Sequence, residues 1–122
     1  MHVLIADDDP IIGSMLRGVF EKKGWTVRLA RDGMQSVMYA MGEPKPDIIL
    51  LDVNMPGGSG LHVLERIKAS TKSNLIPVLV VTGSTDPGLA AKVAELGAAG
   101  FIEKPVEPAA LMEEVQRIAD LS

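Results

Sequence analysis

Five side chains at four places along this 122-residue chain could act together on a phosphoryl group. Asp7 and Asp8 form an acidic pair, Asp52 ends a run of large apolar residues, Thr82 carries a hydroxyl and Lys104 an amine. Crowded carboxylates repel: two unit charges ~4 Å apart cost ~1 kcal/mol in water and more in a partly shielded cleft. A hard divalent cation relieves that repulsion, and Mg²⁺ takes oxygen ligands from one or two carboxylates together with water and substrate phosphate. Such a metal and an ammonium would neutralise phosphoryl oxygens, and a hydroxyl would donate a hydrogen bond to one of them. An aspartate can itself be the nucleophile and form an aspartyl phosphate. Asp52, between the acidic pair and Thr82 in chain order, is the candidate.

The elements that must position these groups are read from apolar runs and turn residues. Ile48-Ile49-Leu50-Leu51 runs unbroken into Asp52, as in a strand buried on both faces of a parallel sheet. His2–Ala6 leads into Asp7-Asp8-Asp9, Pro77–Val81 into Thr82-Gly83-Ser84, and Gly100–Glu103 into Lys104-Pro105. Open parallel sheets bind ligands just beyond the carboxyl ends of their strands, and every candidate falls at such an end. A fifth strand, Trp25–Ala30, alternates and is expected near an edge.

Helices fill the intervals. Asp9-Pro10, Asp32-Gly33, Asp86-Pro87 and Glu107-Pro108 read as helix starts, an acidic cap followed in three cases by Pro at the first helical position. Ile11, Ile12, Met15, Leu16, Val19 and Phe20 recur at helical spacing, with Gly24 as the terminal cap. Met34, Val37, Met38 and Met41 are expected on the inner face of the second helix, before Glu43-Pro44-Lys45-Pro46 stops it. Leu61, Leu64 and Ile67 mark the third, Leu89, Ala90, Val93, Ala94 and Leu96 the fourth, and Leu111, Met112, Val115 and Ile118 the fifth. The methionines are expected to fill the core. Five βα units in a row imply a parallel sheet with helices on both faces and right-handed crossovers.

Composition narrows the classes. One domain of ordinary size is expected, with 47% apolar residues but only four aromatic ones, so its core is aliphatic. The absence of cysteine excludes disulfide and thiolate chemistry and fits a reducing compartment. A net charge of −4 argues against a nucleic-acid surface. No apolar run approaches the ~18–20 residues of a membrane span, and the N-terminus enters a strand with no signal peptide before it.

Singly, each signal has an ordinary reading: Asp7–Asp9 as a capping cluster, Asp52 as a turn former, Thr82-Gly83-Ser84 as a helix cap, Lys104 as a surface lysine. Asp9 is read as a cap only, and His2 and His62 as incidental surface residues. Joint occurrence at four strand ends favours the chemical reading. With Asp7-Asp8, Leu51-Asp52-Val53-Asn54-Met55-Pro56-Gly57, Thr82-Gly83 and Lys104-Pro105 at those ends, essentially the whole chain resembles the receiver domain of bacterial two-component response regulators, the chemotaxis regulators among them.

The resemblance implies one α/β receiver domain, residues 1–122, with a flavodoxin-like, doubly wound, five-stranded parallel sheet of order 2-1-3-4-5 and five helices. It implies a cytoplasmic signalling switch, not an enzyme beyond its own phosphorylation and dephosphorylation. Asp52 would accept a phosphoryl group from the phosphohistidine of a sensor histidine kinase or phosphotransfer protein. Asp8, Asp52 and the backbone carbonyl of Asn54 would ligate Mg²⁺ (or Mn²⁺), with Asp7 acting through water. Lys104 would pair with the phosphoryl group, Thr82 would move to hydrogen-bond it, and Phe101 would rotate inward with Thr82. The Lys104-Pro105 bond is typically cis in the family, and helix four, strand five and helix five form the usual output face, towards an unknown output partner or a phosphorylation-linked homodimer. Ser59 departs from the acidic residue of many relatives, and Phe101 lacks the hydroxyl of the tyrosine found in some. Asn54 and Ser84 occupy positions that tune phosphate lifetime in the family.

Three other readings are weighed. A haloacid-dehalogenase-type phosphatase expects an acid two residues after its nucleophile, where this chain has Asn54. A flavodoxin-like FMN binder would set its phosphate against an acidic pocket. A non-phosphorylated receiver-like scaffold would not need every key residue.

Overall fold

The computed structural model describes residues 1–55, 60–84 and 86–120. Ten elements alternate: β1 (His2–Ala6), α1 (Pro10–Glu21), β2 (Thr26–Ala30), α2 (Gly33–Met41), β3 (Ile48–Leu51), α3 (Gly60–Ala69), β4 (Val78–Thr82), α4 (Leu89–Glu95), β5 (Gly100–Glu103) and α5 (Pro108–Asp120). The strands form one parallel sheet in the order β2-β1-β3-β4-β5. This is the flavodoxin-like fold expected from the sequence, with the alternating strand β2 at an edge.

The unbroken apolar runs follow from the two-sided cover. Val3, Ile5, Ile48, Leu50, Leu79 and Val81 face a core shared with Leu16 and Phe20 of α1 and Leu111, Val115 and Ile118 of α5. Their neighbours Leu4, Ala6, Ile49, Leu51, Val78 and Val80 face the opposite core, with residues of α2, α3 and α4. Each strand residue therefore meets apolar side chains whichever way it points. Phe20 stacks on Trp25 at 5.6 Å between ring centroids, closing the end of α1 onto the start of β2.

The helix starts are mostly as expected. Asp9 accepts from the Ile11 N–H with Pro10 at the first helical position, Asp32 accepts from the Gln35 N–H, and Glu107 accepts from Ala109 and Ala110. Gly24, at φ +79°, follows the last turn of α1.

Four expectations are corrected. Met34 and Met38 are exposed, at 68% and 59%, because α2 lays Gly33, Ser36, Val37 and Ala40 on the core. That stripe is offset by one residue, about 100° of helical rotation, from the methionines. Its small side chains contact the core where the larger ones were expected. Ile11 and Met15 likewise face solvent on α1 while Leu16 and Phe20 are buried, so several methionines are surface residues and not core filler. On α4 only Leu89 and Val93 of the expected stripe are buried; Ala90 and Ala94 are exposed. The Asp86-Pro87 pair precedes α4 by a turn: Asp86 accepts from the Gly88 N–H, and the helix begins at Leu89.

Candidate functional site

Strand register builds the site. Ala6 lies opposite Leu51, and the Asp52 N–H donates to the Ala6 carbonyl at 2.9 Å, so Asp7 and Asp52 leave adjacent strands at the same level. On the other side of β3, the Lys104 N–H donates to the Thr82 carbonyl at 2.9 Å, tying the ends of β4 and β5 together. The four strand-end groups found in the sequence thus converge.

Lys104 is the hub. Its Nζ lies 2.8 Å from Asp7 Oδ2 and 3.1 Å from Asp52 Oδ2. Both aspartates are buried, at 8% and 6% exposure. Burial pulls the Lys104 ammonium down, but hydrogen bonds and charge pairing with Asp7 and Asp52 outweigh it, and the group sits above its ordinary value of 10.5. The remaining oxygens are engaged by backbone: Asp7 Oδ1 accepts from the Asp9 N–H and Asp52 Oδ1 from the Asn54 N–H, each at 2.9 Å. Asp8 is exposed and makes no hydrogen bond among the described residues. Asp9 acts as the cap it was expected to be.

Asp7, Asp8 and Asp52 each direct one carboxylate oxygen into a group whose members lie within 4.8 Å of one another. Such an all-oxygen, anionic donor set, half buried and half open, fits a hard divalent cation. Thr82 is fully buried; its hydroxyl oxygen accepts from Asn54 Nδ2 and from the Ser84 N–H, both at 3.3 Å. The Asn54 side-chain contact was not anticipated, since the sequence reading used only its backbone carbonyl; an amide two residues beyond Asp52 was the available signal. A second unanticipated feature is Gly60, whose N–H donates to the Val53 carbonyl and where a Cβ would lie 2.1 Å from Val53 Cα. Only glycine lets α3 start this close to the residue after Asp52.

Phe101 is half-buried on β5, opposite Val80. With Ala90, Val93 and Ala94 it lines a surface cavity of about 140 Å³ between α4 and β5. The Lys104-Pro105 peptide is cis. Ser59, with Pro56, Gly57 and Gly58 of the motif, lies outside the described residues. His2 and His62 are exposed, and His2 stands at the amino end of β1, away from the carboxyl end that Asp7 follows.

Buried acidic groups at the carboxyl ends of β1 and β3, a lysine bridging them, and a hydroxyl at the end of β4 thus gather at the edge of a flavodoxin-like sheet where such sheets bind ligands. Residues 3–116 match the response regulator receiver domain family, and the chain belongs to that family. It is 32% identical over 115 residues to the DNA-binding response regulator MtrA of Mycolicibacterium smegmatis, covering 94% of this chain and 49% of that protein. It is 31% identical over 117 residues to the phosphate regulon transcriptional regulatory protein PhoB of Escherichia coli, covering 96% and 51%. The chain thus spans about half the length of these curated relatives. Among solved structures, the chemotaxis response regulator CheY4 of Vibrio cholerae superposes with a TM-score of 0.87 at 29% identity, covering 96% of this chain and 97% of that one.

Proposed function

We propose that residues 1–122 act as one receiver domain that accepts a phosphoryl group on Asp52 and reports it through Thr82 and Phe101. The observation that carries this reading is the clamp on Asp52: a buried carboxylate at a strand end, 3.1 Å from Lys104 Nζ and grouped with Asp7 and Asp8.

In the proposed step, an Asp52 carboxylate oxygen attacks the phosphorus of a phosphohistidine on a sensor histidine kinase or phosphotransfer protein. The new P–O bond forms as the P–N bond breaks, and the imidazole departs as the leaving group. Asp8, Asp52 and the Asn54 carbonyl would hold Mg²⁺ or Mn²⁺, with Asp7 acting through water, and the bound ion would neutralise charge on the phosphoryl oxygens. Lys104, already within hydrogen-bond distance of Asp52, pairs with the transferred group. The chain catalyses nothing beyond gain and loss of its own phosphate.

The readout starts from Thr82. Its hydroxyl, held at rest by Asn54 and Ser84, turns to donate to the phosphoryl group. Phe101 then rotates inward, and α4, β5 and α5 change their outer surface. The cavity beside Phe101 supports this, because it leaves the ring space on one side. The partner on this face is a separate protein, an output domain or a second copy of the chain. MtrA and PhoB are named as a DNA-binding and a transcriptional regulator, which favours a transcriptional output, with nucleic acid contacted elsewhere than on this acidic chain. No helix among the described residues is long and apolar enough to cross a membrane, and we assign the chain to the cytoplasm.

The experiment is intact-mass measurement after incubation with acetyl phosphate and Mg²⁺. One phosphoryl adduct is expected, absent with a chelator and absent in Asp52→Asn. An unmodified wild-type chain with Mg²⁺ bound would favour a scaffold, and steady hydrolysis of phosphate esters would favour a phosphatase.

A further inference from the structure

A second site lies at the opposite end of the sheet. Around the amino ends of β1 and β2, a half-open cavity of about 300 Å³ is lined by Leu4, Val27, Tyr39, Pro44 and Pro46. Its lining is largely apolar, and its volume is at the small end of the range for small-molecule sites. Asp7 leaves the carboxyl end of β1 and Asp52 that of the neighbouring β3, and this cavity shares no residue with the phosphoryl site.

At its edge the Asp47 carboxylate, beside Pro46, is engaged by the His2 N–H at 2.7 Å. No Asp or Glu lines it among the described residues. His2 and Thr26 satisfy each other through a ring-nitrogen to hydroxyl hydrogen bond. Arg28 differs: its guanidinium carbon lies 3.6 Å from the Tyr39 ring centroid, and it makes no hydrogen bond or ion pair among the described residues. The ring holds the guanidinium plane while its donors stay available. A pre-oriented cation loses less freedom on binding an anion than a mobile one.

We infer that this cavity binds a small amphipathic carboxylate, its apolar body against Tyr39 and the two prolines and its carboxylate on Arg28. A neutral molecule of the same shape would leave the guanidinium unused, and a polyanion such as a nucleotide would find one cation and an apolar wall. The pairing expected is a charge-assisted, planar one, for which Arg suits a carboxylate better than Lys does.

The test is a ¹H–¹⁵N NMR titration of the chain with sodium 4-phenylbutyrate, beside neutral 4-phenylbutyramide, on wild type and Arg28→Gln. Arg28 is exposed, so its replacement leaves both cores intact. Saturable shifts at the Thr26, Val27, Arg28 and Tyr39 amides are expected with the acid, and binding about tenfold weaker with the amide or with Arg28→Gln. Three results would overturn the inference: no response at these amides up to about 10 mM acid; equal response to acid and amide; or shifts confined to residues around Lys104, the buried cation at the other end.

Discussion

The Asn54 side-chain amide donates to the Thr82 hydroxyl oxygen at 3.3 Å, joining the loop after β3 to the end of β4. In the proposed switch, the hydroxyl that turns towards the phosphoryl group is therefore restrained by the residue two positions beyond Asp52. A neutral hydrogen bond of this kind contributes about 0.5–1.5 kcal/mol. Asn54→Ala should keep the fold and bind the phosphate mimic beryllofluoride about two- to tenfold more tightly, because less is lost when Thr82 moves. Titration followed by NMR measures this, and unchanged or weaker affinity would show that Asn54 does not restrain the switch.

Lys104 bridges two buried carboxylates, so its removal leaves like charges facing each other. Lys104→Met in chelator at neutral pH should lose roughly 1–3 kcal/mol of stability, the usual contribution of a charged hydrogen bond. Adding Mg²⁺ should recover much of that loss and bind more tightly than to wild type, since no ammonium competes for Asp7 and Asp52. Urea unfolding with and without Mg²⁺ provides the check; a variant as stable as wild type in chelator would refute the bridging role.

The same pairing sets a pH dependence. Lys104 is raised above 10.5 in the folded chain, so its contribution is complete below that value and is lost as pH rises through the raised one. In chelator, the stability difference between wild type and Lys104→Met should be flat from about pH 8 to pH 10 and shrink above it. A difference that grew with alkalinity would have the wrong sign.

The helix α2 separates what the sequence made legible from what it did not. Its start at Asp32, its stop at the two prolines and its place between β2 and β3 were readable, because caps and breakers act locally. Its phase was not. Methionine and valine look alike as apolar residues, while Gly33, Ser36 and Ala40 reveal a close approach to the sheet only once that sheet exists. Strand ends were legible for a simpler reason: Asp7, Asp52 and Thr82 each follow an apolar run, Lys104 follows the short strand Gly100–Glu103, and parallel register carries them to one place. The Asn54–Thr82 bond and the Gly60–Val53 approach depend on how two segments meet, which no local pattern encodes.

Substitutions on α2 test that phase. Met38→Lys should change stability by less than ~0.5 kcal/mol, as exposed positions do. Val37→Ala, at a buried position, should cost about 1–3 kcal/mol. Denaturant midpoints decide; a larger loss from Met38→Lys would restore the methionine face to the core.

Gly60→Ala places a methyl group 2.1 Å from Val53 Cα, and backbone cannot yield as a flexible side chain can. A loss of roughly 3 kcal/mol is expected, at the upper end for overpacking. Val53 adjoins Asp52, so Mg²⁺ binding by the folded variant should weaken too. Calorimetry with Mg²⁺ and thermal unfolding report the two effects, and a variant matching wild type in both would mean that α3 tolerates a shift.

The central claim is that the Asp52 carboxylate is the phosphoacceptor. Borohydride reduces an aspartyl phosphate to homoserine and leaves free carboxylates untouched. After acetyl phosphate and Mg²⁺ treatment, borohydride reduction and proteolysis, peptide mass spectrometry should find homoserine at position 52 and aspartate at positions 7, 8 and 9. Homoserine at another position, or at none while the intact chain carries a phosphoryl group, would contradict the account.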